Sequence, residues 1–155
     1  MKLLIINGPN MNLLGRREPT LYGRETYADL VDFVTEACGE EGVEAAFFQS
    51  NHEGAIVDAI QQAIGVYDGI VINPAAYTHT SIAILDALLA AQIPSVEVHL
   101  TDIASRESFR QVSITSGGSL CVIKGQGFDG YACAVRYLRE YLEKQQENHR
   151  EEEER

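Results

Sequence analysis

The chain has 155 residues and a formal net charge of −11, with 45% hydrophobic and 23% charged residues. These values are typical of one soluble globular domain and argue against intrinsic disorder. The negative charge disfavours nucleic acid and anionic membranes as partners. The sequence also lacks an apolar run long enough to span a membrane and a recognisable signal peptide, so we expect a cytoplasmic protein.

The cysteines do not suggest a disulfide framework. Cys38, Cys121 and Cys133 are odd in number and lie in apolar, regular segments, without a CxxC motif or a Cys/His pair. We therefore predict three free, buried thiols and no metal site built from them.

Apolar periodicity predicts five strands that alternate with four helices. The predicted strands are 2–7, 43–49, 69–73, 95–98 and 119–124. The predicted helices are 26–41, one that begins after a capping Asn51 and reaches Tyr67, 79–91 and 129–144. The first helix has a capping signal in Thr26 and Asp29.

This alternation predicts an α/β fold with a parallel sheet and right-handed crossovers. Five strands in this length match a flavodoxin-like doubly wound sheet of order 2-1-3-4-5, with helices on both faces. We expect one domain over residues 1–146. The segment 147–155 holds five acidic and two basic residues, and we expect it to be disordered or a frayed helix end.

In such a sheet, ligands bind at the carboxyl ends of the strands. Four segments follow these ends: the long loop Asn7–Gly23, then "QSNHEG", "NPAAYTHTS" and "EVHLTD". Three of the four histidines lie in these segments, namely His52, His79 and His99. The functional site should therefore lie at this edge.

The first loop has no lysine and only widely spaced glycines, unlike a phosphate cradle. Arg16 and Arg17 precede Tyr22, and a nearby cation lowers the pKa of a tyrosine toward use as a base. The alternative is a surface arginine pair with a tyrosine packed on the sheet. Gly15 and Gly23 are candidate hinges for a loop that closes over a ligand.

A second glycine-rich segment, "GQGFDG" at 125–130, matches a dinucleotide-binding pattern. That pattern belongs after the first strand of a βαβ unit, whereas here no further strand follows. We interpret it as a tight turn.

Further candidate groups follow strands three and four. Glu97 and His99 lie on the same face of strand four, where a carboxylate could orient an imidazole for acid catalysis, or form a structural ion pair. His79 lies near the start of the third helix. It could contact a ligand, or it could only form a hydrogen bond at the helix start. Arg106 and Arg110 are four residues apart on a predicted short helix. They could bind a small anion, or they could simply form a solvated helix face.

The predicted third helix contains "IAILDALLAA", which is apolar on almost every side. A helix that is apolar all round is covered all round, and one sheet face cannot do this. We therefore expect a subunit interface. Asp86 is then an interface ion-pair partner or a group delivered to a neighbour's site.

Taken together, "INGPNMNLLGRREPTLYG", "QSNHEG", "NPAAYTHTS", "EVHLTD" and "FR" with the following serine resemble the signature segments of the type II 3-dehydroquinate dehydratases. The resemblance covers residues 2 to 142. It implies dehydration of 3-dehydroquinate to 3-dehydroshikimate, in the shikimate or quinate pathway, by anti elimination through an enolate. It also implies no metal, no cofactor and no Schiff-base lysine.

The resemblance assigns a role to each of five catalytic candidates. Tyr22 is the base that removes the C2 proton, and Arg17 keeps it ionised. Asn10 helps hold the water or donor that stabilises the enolate oxygen. His99 is the general acid for the departing C1 hydroxyl, and Glu97 orients it.

The resemblance also implies the substrate contacts and the assembly. The carboxylate would be bound at a helix N-terminus, and further residues would contact the hydroxyls. The carboxylate site is Asn73 with the backbone N–H groups of Leu100 and Thr101, and the hydroxyl contacts are His79, Arg110 and Asp86. The family's dodecamer, a tetramer of trimers, would supply Asp86 from an adjacent subunit. The competing hypotheses are a flavodoxin-like protein that binds FMN or a nucleotide, and an inactive oligomeric scaffold.

Overall fold

The computed structural model describes residues 1–16, residue 20 and residues 23–155. It contains one parallel sheet of five strands in the order β2-β1-β3-β4-β5, which confirms the predicted fold and strand order. The strands are β1 (Lys2–Asn7), β2 (Glu44–Gln49), β3 (Gly69–Asn73), β4 (Ser95–His99) and β5 (Cys121–Lys124). The helices are α1 (Tyr27–Glu40), α2 (Glu53–Gln62), α3 (Ile82–Ala91) and α4 (Asp129–Glu153).

Two hydrophobic cores lie on opposite faces of the sheet, because successive strand residues point to opposite sides. Leu3 and Ile5 of β1 belong to the core that α1 and α4 cover. Leu4 and Ile6 belong to the core that α2 and α3 cover. All four are buried, so β1 needs an unbroken apolar run, as its sequence shows. No helix of the described residues is long and apolar enough to cross a membrane.

Helix α1 begins as its sequence predicts. Thr26 is the N-cap, and its hydroxyl accepts a hydrogen bond from the Asp29 N–H at 3.2 Å. The Asp29 carboxylate accepts from the Thr26 N–H at 2.7 Å, which completes a capping box. This hydrogen bond from the Thr26 backbone holds the pKa of Asp29 below its usual range.

Two helix starts differ from their predictions. The N-cap of α2 is His52, not Asn51, and the helix ends at Gln62, before Tyr67. Asn51 does not cap because its side-chain oxygen accepts the N–H of Asn10 in another loop. Helix α3 begins at residue 82, since the Ser81 hydroxyl caps it by accepting the Ile84 N–H at 3.0 Å.

The residues before α3 form a separate short 3₁₀ helix, Ala75–His79. The single predicted helix 79–91 is therefore wrong at its start. Thr80 has φ of −135° and Ser81 has ψ of 94°, values that an α-helix does not contain. Only the part after Ser81 has the capping and the packing of a regular helix.

Helix α4 extends to Glu153, nine residues beyond the predicted end at Lys144. The added residues are exposed and are mostly Glu, Gln and Arg, which favour helix without tertiary contacts. The acidic segment therefore continues the helix in the structure. Its separation from the domain at residue 146 stays a prediction.

All three cysteines are free, but the prediction that they are buried is right only for Cys38. Cys121 on the edge strand β5 and Cys133 on α4 are partly exposed. Burial raises the pKa of the Cys38 thiol to about 11. The "GQGFDG" segment is a tight turn, with positive φ at Gly125 and Gly127.

Candidate active site

A cleft of about 710 Å³ opens at the carboxyl ends of β1, β3 and β4. Seven of the predicted site residues line it: Asn10, Asn73, His79, His99, Leu100, Thr101 and Arg110. The structure thus brings together residues that are up to 100 positions apart in the chain, at the edge that the strand order predicts.

Four predicted residues do not line this cleft. Arg17 and Tyr22 lie outside the described residues. Glu97 is fully buried beneath the cleft, behind His99. Asp86 lies on the exposed side of α3, away from the cleft of its own chain.

Glu97 and His99 form a buried pair at the carboxyl end of β4. The His99 Nε2 lies 2.6 Å from the Glu97 Oε1, and the side-chain exposures are 6% and 0%. A carboxylate oxygen only accepts, so Nε2 carries the hydrogen and the other ring nitrogen, Nδ1, is left for the cleft. This geometry allows the imidazole to pass a proton at Nδ1 while the carboxylate stabilises its charge.

Two hydroxyls complete the surroundings of Glu97. Ser113 Oγ donates to Oε1 at 2.9 Å, and Thr115 Oγ1 donates to Oε2 at 2.6 Å. With His99, the carboxylate accepts three hydrogen bonds, which offset the cost of its burial. Thr115 is not among the predicted site residues, and in the sequence it is marked only by its alternation with Ser113 in the segment after Arg110.

Asn73 lies at the end of β3 and is 4% exposed. Its Oδ1 accepts the Ala75 N–H at 3.1 Å, and its Nδ2 donates to the Tyr131 hydroxyl at 3.1 Å and to the Met11 sulfur at 3.7 Å. The first contact fixes the amide orientation, since the oxygen must face an N–H. The weak sulfur contact is the one that a ligand oxygen could replace.

Tyr131 holds this amide from beneath. The hydroxyl donates to Asn7 Oδ1 at 2.6 Å, while it accepts from Asn73. The side chain is 0% exposed, and burial raises the pKa of its phenol, which keeps the hydroxyl neutral. Sequence reasoning missed Tyr131 because it is just one of the apolar-facing positions of α4.

His79 is held by a backbone carbonyl. Its Nδ1 lies 2.7 Å from the Val112 oxygen, so Nδ1 carries a hydrogen and donates it. The Nε2 of the neutral ring is then an acceptor. His79 ends the 3₁₀ helix rather than beginning an α-helix, yet it lines the cleft as predicted.

The two arginines also reach the cleft, but not on one helix. Arg106 has extended backbone, with ψ of −178°, and the short 3₁₀ helix that follows is Ser108–Arg110. Their Nε atoms lie 3.5 and 3.2 Å from Glu107 Oε2. The backbone N–H of Glu107 and these arginines hold the pKa of Glu107 below its usual range.

Leu100 and Thr101 follow β4 directly, and they do not lie at the N-terminus of a regular helix. The next element is a three-residue 3₁₀ helix from Ile103, which Asp102 caps by accepting the Ala104 N–H at 3.0 Å. The Leu100 carbonyl accepts the Gly127 N–H at 3.0 Å, so the glycine-rich turn fixes this segment. The expected helix N-terminus is therefore wrong, although both residues line the cleft.

Among the described residues, no group of three or more His, Cys, Asp or Glu side chains could hold a metal ion.

The five-stranded parallel sheet makes this chain a flavodoxin-like α/β protein. Its buried carboxylate–imidazole pair lies below a polar cleft, as in enzymes that act on small molecules. Residues 1–139 match the sequence model of the family described as Dehydroquinase class II. Since this match covers most of the chain, the protein belongs to the type II dehydroquinase family.

Individual relatives agree with this assignment. The 3-dehydroquinate dehydratase of Prochlorococcus marinus is 49% identical over 144 residues, which cover 93% of this chain and 99% of the relative. The catabolic 3-dehydroquinase of Verticillium alfalfae is 49% identical over 141 residues, 91% of this chain and 94% of the relative. The crystal structure of type II dehydroquinase from Butyrivibrio crossotus has a TM-score of 0.87 at 49% identity, covering 89% of this chain and 97% of that one.

Proposed function

We propose that the protein is a hydro-lyase that converts 3-dehydroquinate to 3-dehydroshikimate. The observation that carries the proposal is the buried Glu97–His99 pair at the floor of the cleft, in a chain of the type II dehydroquinase family. A proton donor in a pocket for a small anion is what loss of a hydroxyl group as water requires.

His99 acts as the general acid in this proposal. Its Nδ1 protonates the departing C1 hydroxyl, while its Nε2–H donates to Glu97 at 2.6 Å. Ser113 and Thr115 hold the carboxylate so that it stays in line with the ring. The buried carboxylate keeps the ring oriented before and after the transfer.

Tyr22 acts as the base, and Arg17 keeps its phenolate ionised by electrostatic attraction. Removal of the C2 proton gives an enolate, and Asn10 holds the water or donor that stabilises the enolate oxygen. The base and the acid act on opposite sides of the substrate, which makes the elimination anti. Both the base and its cation come from the first loop, whereas the acid comes from β4.

The substrate contacts follow from the donors and acceptors that line the cleft. Asn73 Nδ2 and the N–H groups of Leu100 and Thr101 bind the carboxylate. The Nε2 of His79 contacts a substrate hydroxyl, because Nδ1 is engaged with the Val112 carbonyl. Arg110, which also lines the cleft, contacts a further substrate hydroxyl.

The reaction uses no metal, no cofactor and no Schiff base in this proposal. An enolate route needs only a base, an acid and a donor for the oxygen, and the cleft and the first loop hold candidates for all three. An imine would need a lysine at the substrate, and the lysines Lys2, Lys124 and Lys144 are absent from the cleft lining in the described part of the chain.

The proposed assembly is a cytoplasmic dodecamer of four trimers in which Asp86 reaches a neighbouring subunit's site. Ile82 and Leu89, on the same side of α3 as Asp86, are 61% and 54% exposed in the single chain. Covering this side by another copy would bury two large apolar side chains and carry Asp86 with them. The pathway is that of shikimate or of quinate.

An assay with 3-dehydroquinate tests the proposal. The purified protein should generate the ultraviolet absorbance of the conjugated enone without added metal and in the presence of a chelator. The His99→Ala variant, purified in the same way, should give little signal. Borohydride with substrate should not inactivate the enzyme, since no imine forms. A folded oligomer without the absorbance change would refute the activity.

A further inference from the structure

The segment "QSN" at the end of β2 has no role in the proposed chemistry, and neither Gln49 nor Asn51 lines the cleft. Both nevertheless contact the loop that carries Asn10. Asn51 Oδ1 accepts the backbone N–H of Asn10 at 3.0 Å. Gln49 Nε2 donates to the Gly8 carbonyl at 3.2 Å and to Asn51 Oδ1 at 3.3 Å. The amide of Asn51 therefore has its oxygen fixed between two N–H donors.

Asn10 has a backbone conformation that needs support. Its φ of 66° and ψ of −1° lie in the left-handed region, which non-glycine residues visit as isolated exceptions. Residues kept in such conformations at functional sites persist when the surrounding structure determines them. The φ of Asn10 sets where its side chain lies, and Asn10 is one of the residues that line the cleft.

The loop is held from both neighbours of β1. On the β3 side, the Gly8 N–H donates to the Asn73 carbonyl at 2.8 Å, and a Cβ on Gly8 would lie 2.4 Å from the Pro74 oxygen. On the β2 side, Asn51 and Gln49 make the contacts described above. The order β2-β1-β3 places these contacts on opposite sides of residues 8–10.

Asn51 is itself anchored. The Tyr77 hydroxyl donates to the Asn51 carbonyl at 2.7 Å, so the backbone of Asn51 is tied to the 3₁₀ helix that carries His79. This arrangement joins the ends of β1, β2 and β3 through three polar side chains. Asn51 can thus act as a fixed acceptor rather than as a mobile surface amide.

We propose that Asn51, supported by Gln49, is a positioning residue that keeps Asn10 in its left-handed conformation for turnover. The proposal rests on the proposed function, since it assigns Asn51 an effect through Asn10 on the stabilisation of the enolate. It explains why the side-chain oxygen of Asn51 faces the first loop instead of capping α2. It predicts an effect on kcat rather than on substrate binding.

Two substitutions separate positioning from folding. Asn51→Ala removes the acceptor and should lower kcat about tenfold, less than the 10²–10³-fold typical for loss of an enolate or oxyanion donor itself. Its KM should change less than about twofold. Asn51→Asp keeps an oxygen for the Asn10 N–H and the Gln49 amide, and its kcat should stay within about threefold of the wild type. Gln61→Ala, an exposed amide on α2, is the matched control and should change neither constant.

A double-mutant cycle tests whether the effect passes through Asn10. Asn10→Gly tolerates the positive φ but has no side chain, so adding Asn51→Ala to it should change kcat less than twofold. Amide hydrogen exchange in a peptide that covers residues 7–14 should be faster in Asn51→Ala than in the wild type, and unchanged in Asn51→Asp. A wild type without turnover would refute the proposed function, not this inference.

With an active wild type, three results would overturn the positioning role. The first is a normal kcat in Asn51→Ala, and the second is an equal loss of kcat in Asn51→Asp and Asn51→Ala. The third is a double variant in which the separate effects of Asn10→Gly and Asn51→Ala on kcat multiply, which would mean that the two residues act independently.

Discussion

At the scale of single residues, the site depends on polar side chains that are buried with their partners. Glu97 is 0% exposed and accepts hydrogen bonds from His99, Ser113 and Thr115. A buried carboxylate without such donors would be costly, because burial removes its hydration. The three donors offset the cost of burying the Glu97 carboxylate. Two of them, Ser113 and Thr115, also hold the carboxylate in place, and the carboxylate in turn orients the imidazole of His99. Here stability and function depend on the same hydrogen bonds.

Tyr22→Phe tests the proposed base. Without the hydroxyl no phenolate can form, so we expect kcat to fall about 10²–10⁴-fold while substrate binding persists. Steady-state kinetics and a titration of substrate or product binding measure the two effects. Tyr137→Phe, at a site that is 40% exposed, should remain fully active. Near-normal turnover by Tyr22→Phe would mean that another group is the base.

Tyr131→Phe tests the buried hydroxyl below Asn73. The change leaves the Oδ1 of Asn7 and the Nδ2 of Asn73 without their partner. We expect the free energy of unfolding to fall by about 1–3 kcal/mol, the usual cost of leaving buried polar groups unpaired. Chemical denaturation followed by circular dichroism measures it, with Tyr137→Phe again as the control. An unchanged denaturation midpoint would show that water or another group replaces the hydroxyl.

At the scale of elements, one carboxylate joins the end of α1 to α4. Glu41 lies 3.0 Å from Arg136 Nε and 2.7 Å from Arg139 Nε. The hydrogen bond from Arg136, together with Arg139, holds the pKa of Glu41 below its usual range. A folded-state pKa below the unfolded value stabilises the fold above the unfolded pKa, and the contribution disappears as the pH falls through the folded value.

Glu41→Gln should therefore unfold at a lower denaturant concentration than the wild type at pH 7. The difference should begin to shrink as the pH falls below about 4, near the ordinary pKa of a glutamate, because the carboxyl group of the unfolded chain then takes up a proton, and it should vanish once the pH falls through the lower folded-state pKa. It should also shrink at high salt, since the pair is partly exposed. Urea titrations at several pH values measure this, with Glu147→Gln on the exposed end of α4 as control. A difference that does not depend on pH would exclude the ion pairs as its source.

The first residues of the helices show where the local sequence no longer determines the start of an element. The capping box of Thr26 and Asp29 is local, and α1 begins where its sequence predicts. Asn51 is an equally good capping residue, yet its oxygen accepts a hydrogen bond from Asn10, 41 positions away in the chain. The start predicted for α3 is wrong for a local reason: the Ser81 hydroxyl accepts the Ile84 N–H, and the helix begins after this cap. A distant partner outweighed a local preference only at Asn51.

At the scale of the whole molecule, the unusual feature is the exposed side of α3. Ile82, Asp86 and Leu89 follow one another at helical spacing, and the two apolar members are more than half exposed in the single chain. A second subunit on this side would remove apolar surface from water and carry a carboxylate to its neighbour. The sequence predicted this covering because "IAILDALLAA" is apolar on too many sides for one sheet face.

Leu89→Glu should break this contact without unfolding the chain, because Leu89 is 54% exposed in the single chain. We expect a smaller species in size-exclusion chromatography with light scattering, native helix content, and activity reduced about tenfold or more through loss of a positioned substrate contact. Leu89→Met keeps the apolar character and serves as the control. A variant with the size and activity of the wild type would place the subunit contact elsewhere.

The sequence by itself determined the order of the strands, the helices that cover them and the edge at which the site lies. These features depend on local periodicity and on the handedness of crossovers, both of which are readable along the chain. Seven predicted site residues line the cleft: His79, His99 and Arg110 were candidates from the sequence itself, and Asn10, Asn73, Leu100 and Thr101 were implied by the family resemblance. Arg17 and Tyr22 remain predictions, since they lie outside the described residues.

Only the tertiary structure decided how those residues are held. Tyr131, Thr115 and Asn51 reach the site from α4, from the segment before β5 and from the end of β2. Their partners are between 18 and 124 positions away or on another strand, so no local pattern marks them. A hydrogen bond of this kind depends on distance and angle in space, and those exist only once the sheet has brought its strand ends together.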